Sequence, residues 1–394
     1  MWRPAKKNTY LDWAASAPTS RKASHAFRVH EQLYGNPGAL HKDARAGSRA
    51  LEDARTRIAR LAQIKTTGVV FTSGATEANA LAIIGSIEAR ARSGIAYADI
   101  HVLYHPSAHS SLVGAVEMLT RKGVQTQALA LRDGVPDITL VRAQLRPTTC
   151  LISLEAVSGE TGTIFETREL RRLIDTYTKD TQQKILLHVD ASQAPRVLAF
   201  SLTHLGAHLL SLDAQKVGGV RGIGALLLTR EASVAPGTLG GGQEGGLRPG
   251  TQNPALAQAF AVALEEVSEM RERFIEEHAG YREELLSQIS TIATAVRNES
   301  KHQASHIVNI SLLGRDTDYL VMLLDAQGFS VSTKSACETD EPGSRMVLAM
   351  SGDKERALST LRISWGPGIT KKELMRFATE LKKTVRFLDE KAIY

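Results

Sequence analysis

Cysteine is nearly absent from this chain: two residues, Cys150 and Cys337, in 394. Two thiols give neither a disulfide framework nor the paired spacing of a zinc site, so no resident metal is expected. Aromatic residues make up 5%, too few for a surface that stacks single-stranded bases. No apolar run approaches the ~20 residues of a membrane span. The basic N-terminus MWRPAKKNTYLDW lacks the apolar core of a secretory signal. There is no internal repeat and no long low-complexity tract. Neither G-x-x-x-x-G-K-[ST] nor a G-x-G-x-x-G after a strand occurs, which argues against a nucleotide triphosphate or dinucleotide site. The net charge of +6 is spread, with clusters at Arg3–Lys7, Arg90–Arg92 and Lys371–Lys383. Without a nucleic-acid module these read as solvated surface, or as steering for an acidic protein partner, and not as stable nucleic-acid binding. A cytoplasmic globular protein without membrane attachment is expected.

What is present is alternation. Short apolar strands are predicted at 69–71, 99–104, 124–130, 149–154, 185–189, 208–212 and 223–228, separated by amphipathic helices. That order predicts an α/β fold with a mostly parallel sheet flanked by helices. Helices are also predicted near 20–33 and 43–63. Residues 231–253 are glycine-rich and read as a functional loop. A long helix starts at Pro254, where proline suits a first turn, and runs to about Ile289. Strands at 306–312, 329–333 and 360–364 with a last helix over about 370–390 form a smaller α+β unit. The expected division is a large domain, 16–253, and a small one of 1–15 and 254–394.

Three segments carry chemistry. In SLDAQKVGG, Lys216 follows an apolar β-type run and precedes glycines. Burial there disfavours the ammonium and makes the amine a candidate Schiff-base nucleophile. In HVDASQA, Asp190 closes a predicted strand and Gln193 follows. Ligands bind outside the carboxyl ends of such strands. A strand-end aspartate one unit before a strand-end lysine suits pyridoxal phosphate (PLP), whose pyridine nitrogen the carboxylate would hold protonated. Asp190 equally suits a helix N-cap. In VVFTSGATEANALAI, a strand breaks into a helix at Gly74, Ala75 and Thr76. Free N–H groups and the positive helix end there fit a monoester phosphate, or an ordinary capped helix. Cys150 lies in an apolar run and reads as core. Cys337 lies in a polar, turn-rich segment, where a lone thiol is a liability unless used.

Together these segments resemble the cysteine desulfurases, PLP-dependent enzymes of the class V aminotransferase superfamily and of PLP fold type I. The resemblance runs nearly end to end: YLDWAASAP, YGNPGALHKDAR, FTSGATEAN, HPSAH, HVDASQA, KVGGVRGIGALL, GGGQEGGLRPGT, SACE and LRISWG. It implies Lys216 as the Schiff-base lysine, Asp190 at the pyridine nitrogen and Gln193 near the ring hydroxyl. His109 is implied as the stacking acid/base. Gly74, Ala75 and Thr76 hold the phosphate, helped by Ser211 and the two residues Asp213 and Gln215 before the lysine, and by Thr251 of a partner subunit in a homodimer. Arg362, Asn36 and Ser158 are implied for substrate, with Ser158 also near the ring. The implied reaction converts L-cysteine to L-alanine and leaves a persulfide on Cys337 for a protein sulfur acceptor or iron–sulfur scaffold, or for tRNA thiolation. A selenocysteine lyase, a cysteine C–S lyase or a non-catalytic sulfur-assembly scaffold of the same fold are the alternatives. The chain departs from the family pattern at three places. Asp213 and Gln215 stand where serine and histidine are usual, Ser158 where asparagine is usual, and the segment from Cys337 to Pro342 is short.

Overall fold

The structure, a computed structural model, describes residues 8–333 and 343–391. A first short strand, β1 (Thr9–Tyr10), precedes the main sheet strands β2 (Val69–Thr72), β3 (His101–Tyr104) and β4 (Gln125–Ala128). A two-stranded hairpin of β5 (Leu131–Arg132) and β6 (Val135–Pro136) follows, and then β7 (Thr149–Glu155), β8 (Leu186–Asp190), β9 (Leu209–Asp213) and β10 (Gly224–Leu228). The main sheet has seven strands in the order β2-β10-β9-β8-β7-β3-β4. Only β10 runs antiparallel to its neighbours, so the sheet is mostly parallel, as the alternation predicts. All seven residues of β7 are buried. This is why the strands read as continuous apolar runs: helices cover both faces. Leu51, Ile58, Phe260 and Leu264 belong to the core on one face, and Ile83, Leu112 and Val116 to the core on the other. Each such side chain stabilises the fold by about 1.5–3 kcal/mol.

Beyond the main sheet, β11 (Ala295–Arg297), β12 (Ile307–Leu312) and β14 (Thr360–Ser364) form an antiparallel sheet. β13 (Phe329–Ser330) pairs in parallel with β1. Trp365, Phe377, Leu381 and Leu11 pack in this second core. The helix Pro254–Ile289 is 36 residues long, with Asn253 Oδ1 accepting the Leu256 N–H at 3.0 Å. Its first half packs in the main core through Phe260 and Leu264. Its last turns pack in the second core through Leu285, Leu286 and Ile289.

This layout sets the site. The last residues of three adjacent parallel strands are Glu155, Asp190 and Asp213. They stand at the carboxyl edge of the sheet, facing the second lobe.

Candidate active site

A cleft opens at that edge, lined among others by Ala14, Thr76, His109, Asp190, Lys216 and Arg362. Lys216 ends a short turn that follows β9 directly. Its Nζ donates to the carbonyls of Ala14 and Ala15, both at 2.8 Å. Gln193 Nε2 donates to the same Ala14 carbonyl at 2.8 Å. The segment after β1 therefore walls the cleft and aims both side chains.

Asp190 is buried and held by three donors, with acceptor capacity left on Oδ2. Its Oδ1 accepts the Ser192 N–H at 2.9 Å and the Ser192 hydroxyl at 2.6 Å. Its Oδ2 accepts Asn79 Nδ2 at 2.7 Å. No helix starts after Asp190, so the N-cap reading does not apply, and the carboxylate closes a local turn instead. Behind it, burial pushes His188 down to about 4. That neutral ring bridges Ser153 and Ser211 at 2.7 and 3.0 Å. Ser211 is thus committed beneath the cleft and does not line it.

His109 caps the helix Ser110–Arg121. Its Nδ1 accepts the Ser111 N–H at 3.2 Å and lies 2.8 Å from Ser111 Oγ. A backbone N–H can only donate, so Nδ1 is an acceptor and the ring proton sits on Nε2. Asn79 Nδ2 donates to Ser111 Oγ at 2.9 Å. Asn79 therefore joins the ring of His109, through Ser111, to Asp190. Asn79 and Ser111 were not among the residues expected from sequence. Asn79 lies one turn into the phosphate-type helix and Ser111 two positions after His109, which was the available signal. Ser111→Ala removes one donor that favours the neutral ring. The acid limb of the activity–pH profile is expected to move up by as much as about one unit. An unmoved limb would show that the Ser111 hydroxyl does not bear on the protonation of the ring.

The helix Ala75–Arg92 starts at the other end of the cleft. First-turn N–H groups lack intrahelical partners, yet here the Ala75 N–H is taken: Asp213 Oδ2 accepts it at 3.1 Å. Asp213 Oδ1 accepts the Gln215 N–H at 3.0 Å. Burial raises the Asp213 carboxyl above its usual range, although those N–H bonds and nearby Lys216 pull the other way. Thr76 and Gln215 line the cleft beside it. Partial burial would raise Glu77, but hydrogen bonds from Ser73 and Arg248 hold it below its usual range. The Arg248 contact, 3.0 Å, ties the glycine-rich loop to this helix.

Arg362 is 2% exposed. It donates to Asp12 Oδ1 at 2.8 Å and to the Gly159 carbonyl at 3.0 Å, while its buried Nε has no partner. Ser158 Oγ accepts the N–H groups of Glu160 and Thr161 at 3.3 and 3.4 Å. Its oxygen thus accepts within its own turn, and Gly159 and Glu160 line the cleft instead. Asn36 and Thr251 are exposed and share a separate surface pocket. The structure does not bring them to the cleft of their own chain. Cys337 lies outside the described residues. The ends of its segment are fixed at the site: Ser332 pairs with Arg362 through backbone bonds of 3.3 and 2.6 Å, and the Ser344 hydroxyl donates to Glu160. Burial pushes the Cys150 thiol up to about 11, so it is an inert core residue.

The loop over 231–253 is held by a buried ion pair. Arg55 donates to both Glu244 oxygens at 2.7 and 2.8 Å, and Glu244 also accepts the Phe71 N–H at 2.8 Å. Among the described residues no group of His, Cys, Asp or Glu is placed to hold a metal. No described helix is long and apolar enough to cross a membrane.

The sequence pattern of the class-V aminotransferases matches residues 9–377. The chain belongs to that family. Cysteine desulfurase IscS of Dechloromonas aromatica is 31% identical over 377 residues, covering 93% of this chain and 89% of that protein. Cysteine desulfurase IscS of Dictyoglomus turgidum is 29% identical, covering 94% and 92%. Among solved structures, a NifS-like protein superposes with a TM-score of 0.88 at 25% identity, covering 96% of this chain and all of that one. Family members of this kind depend on PLP as a general property.

Proposed function

We propose that the chain is a PLP-dependent cysteine desulfurase. The observation that carries this reading is the convergence of Lys216, Asp190, His109 and Arg362 on one cleft at the carboxyl edge of the sheet. The residues fit the cofactor at its ring end: Lys216 would hold it covalently, Asp190 would meet the pyridine nitrogen, and Gln193 and His109 would flank the ring. Gly74, Ala75 and Thr76 would receive the phosphate. When bound, PLP supplies the electron sink that makes an amino acid's α-proton removable.

The chain's own groups do the rest. Lys216 Nζ is the amine placed to carry a proton. Asn79 and Ser192 hold the Asp190 side chain in place through their donors. His109 presents Nε2–H and can move a proton at that atom. Arg362 offers a planar fork for the substrate carboxylate, in exchange for Asp12. In the overall reaction L-cysteine and the Cys337 thiol give L-alanine and a Cys337 persulfide. The substrate C–S bond breaks, an S–S bond forms, and one thiol hydrogen ends on the alanine methyl, so no outside oxidant or reductant is needed. The thiolate is the attacking form.

A homodimer follows from the same reading. Tyr34, Leu40 and Leu239 are large apolar side chains that are 85–89% exposed, and Asn36 and Thr251 share a surface pocket with Tyr34 rather than lining their own cleft. A partner subunit would bury the former and receive the latter. A protein sulfur acceptor or iron–sulfur scaffold and a cytoplasmic setting belong to the same proposal. So does the division into residues 16–253 and residues 1–15 with 254–394, although the first half of the helix Pro254–Ile289 packs in the main core.

Purified protein mixed with PLP and L-cysteine is expected to form alanine and persulfide in equal amounts. Both are expected to fall by at least about 10³-fold in Cys337→Ala, because a covalent step loses its nucleophile. Alanine that does not depend on Cys337 would point to a lyase, with cysteine or selenocysteine as substrate. A folded protein that never takes up PLP would point to the scaffold reading.

A further inference from the structure

The phosphate end of the cleft holds an anion of its own. Asp213 is 8% exposed, and both of its oxygens are spoken for by the Ala75 and Gln215 N–H groups. The carboxylate lies against the turn itself, since a Cβ on Gly74 would stand 3.4 Å from Oδ2. A phosphate at this helix start therefore meets a carboxylate already bonded to one of its donors. Two anions sharing one buried helix end repel each other strongly. The surrounding groups offer limited relief. Lys216 is the cation acting on Asp213, and Asp190 on the neighbouring strand acts in the opposite sense. Glu77 on the helix is engaged by Ser73 and Arg248. Gly224, opposite Asp213 on β10, carries no charge. Gln215 does not titrate.

We propose that Asp213 makes capture of the cofactor phosphate proton-linked: the phosphate is accepted with Asp213 neutral, and one proton passes from solvent onto its carboxyl as the complex forms. The neutral carboxyl gains an O–H to donate, turning a repelling group into a phosphate ligand. This rests on the PLP reading. The raised position of the carboxyl by burial acts in the same direction. The complex holds one proton more than the free partners, so binding weakens as pH rises. The expected slope is about tenfold per pH unit above neutrality, where a phosphate monoester (second pKa ≈ 6) is already dianionic and takes no part in the change.

Calorimetric titration of the protein with PLP, in buffers of different ionisation heat, reads the proton directly. Pyridoxal, with the same ring and aldehyde but no phosphate, removes the contribution of Lys216. The wild type is expected to take up about one proton more with PLP than with pyridoxal. Asp213→Asn is expected to take up none and, at about pH 8, to bind PLP on the order of tenfold more tightly. Asp213→Ser gives the same reading if the asparagine variant does not fold. PLP binding with equal proton uptake and equal pH dependence in wild type and variant overturns the role of Asp213 while leaving the cofactor reading intact. If neither folded protein binds PLP, the cofactor reading falls and this inference with it.

Discussion

Lys216→Ala is expected to lower alanine formation by at least about 10³-fold and to abolish the covalent, yellow form of the PLP-loaded protein. The argument is positional. Lys216 is delivered by the turn Ala214–Lys216 at the end of a buried strand, and its Nζ is aimed across the cleft by the carbonyls of Ala14 and Ala15. No neighbouring amine stands in for it: among the described residues lining the cleft Lys216 is the only lysine. Absorbance after PLP addition and a stopped assay for alanine provide the check. Retention of both the yellow species and turnover in the variant would remove Lys216 from the mechanism. Loss of turnover with the noncovalent cofactor still bound would instead match the role assigned to it.

The second large effect is on stability. Glu244→Ala is expected to destabilise the fold by about 3–5 kcal/mol, because it removes the buried carboxylate that pairs with a buried guanidinium. Arg55 keeps its bonds to the Val69 carbonyl and to the exposed Glu52 but loses both Glu244 oxygens, and the Phe71 N–H loses its acceptor. Glu244 adopts a left-handed backbone, φ 51°, which the ion pair over-determines. Glu244→Gln, which retains an acceptor without the charge, is expected to lose less. Denaturant unfolding of the three proteins measures the series, and an alanine variant as stable as wild type would show that the pair is dispensable. The loop it holds also carries Arg248 and Thr251, so the variant should weaken the proposed dimer as well.

The sheet was legible because its strands are buried on both faces. Runs such as those around Ile152 and Leu210 had no polar alternation to confuse with a surface helix. β11 was missed because three residues, Ala295–Arg297, none of them buried, give no periodicity to count. In the site, Asp190 at a strand end, Lys216 just beyond one and the helix start at Ala75 were readable from pattern alone. Side-chain direction was not. Ser158 and Ser211 stood at suggestive places in the chain, yet Ser158 Oγ faces the N–H groups of its own turn and His188 holds Ser211. Asn79 and Ser111 had only their places beside the phosphate segment and His109 as a signal, because their meaning lies in a contact between two helices that a single strand–helix motif does not encode. The replacement of serine by Asp213 was visible in sequence; that its carboxylate bonds the Ala75 N–H was a matter of geometry.

The helix Pro254–Ile289 belongs to both cores, and that has a consequence for modularity. Cutting the chain before it would strip the main sheet of Phe260 and Leu264, and cutting after it would strip the second sheet of Leu285 and Ile289. Neither lobe is a portable unit that could be exchanged, expressed or recombined alone. The cleft between them is therefore inherited whole, and changes such as Asp213 have to arise within it residue by residue.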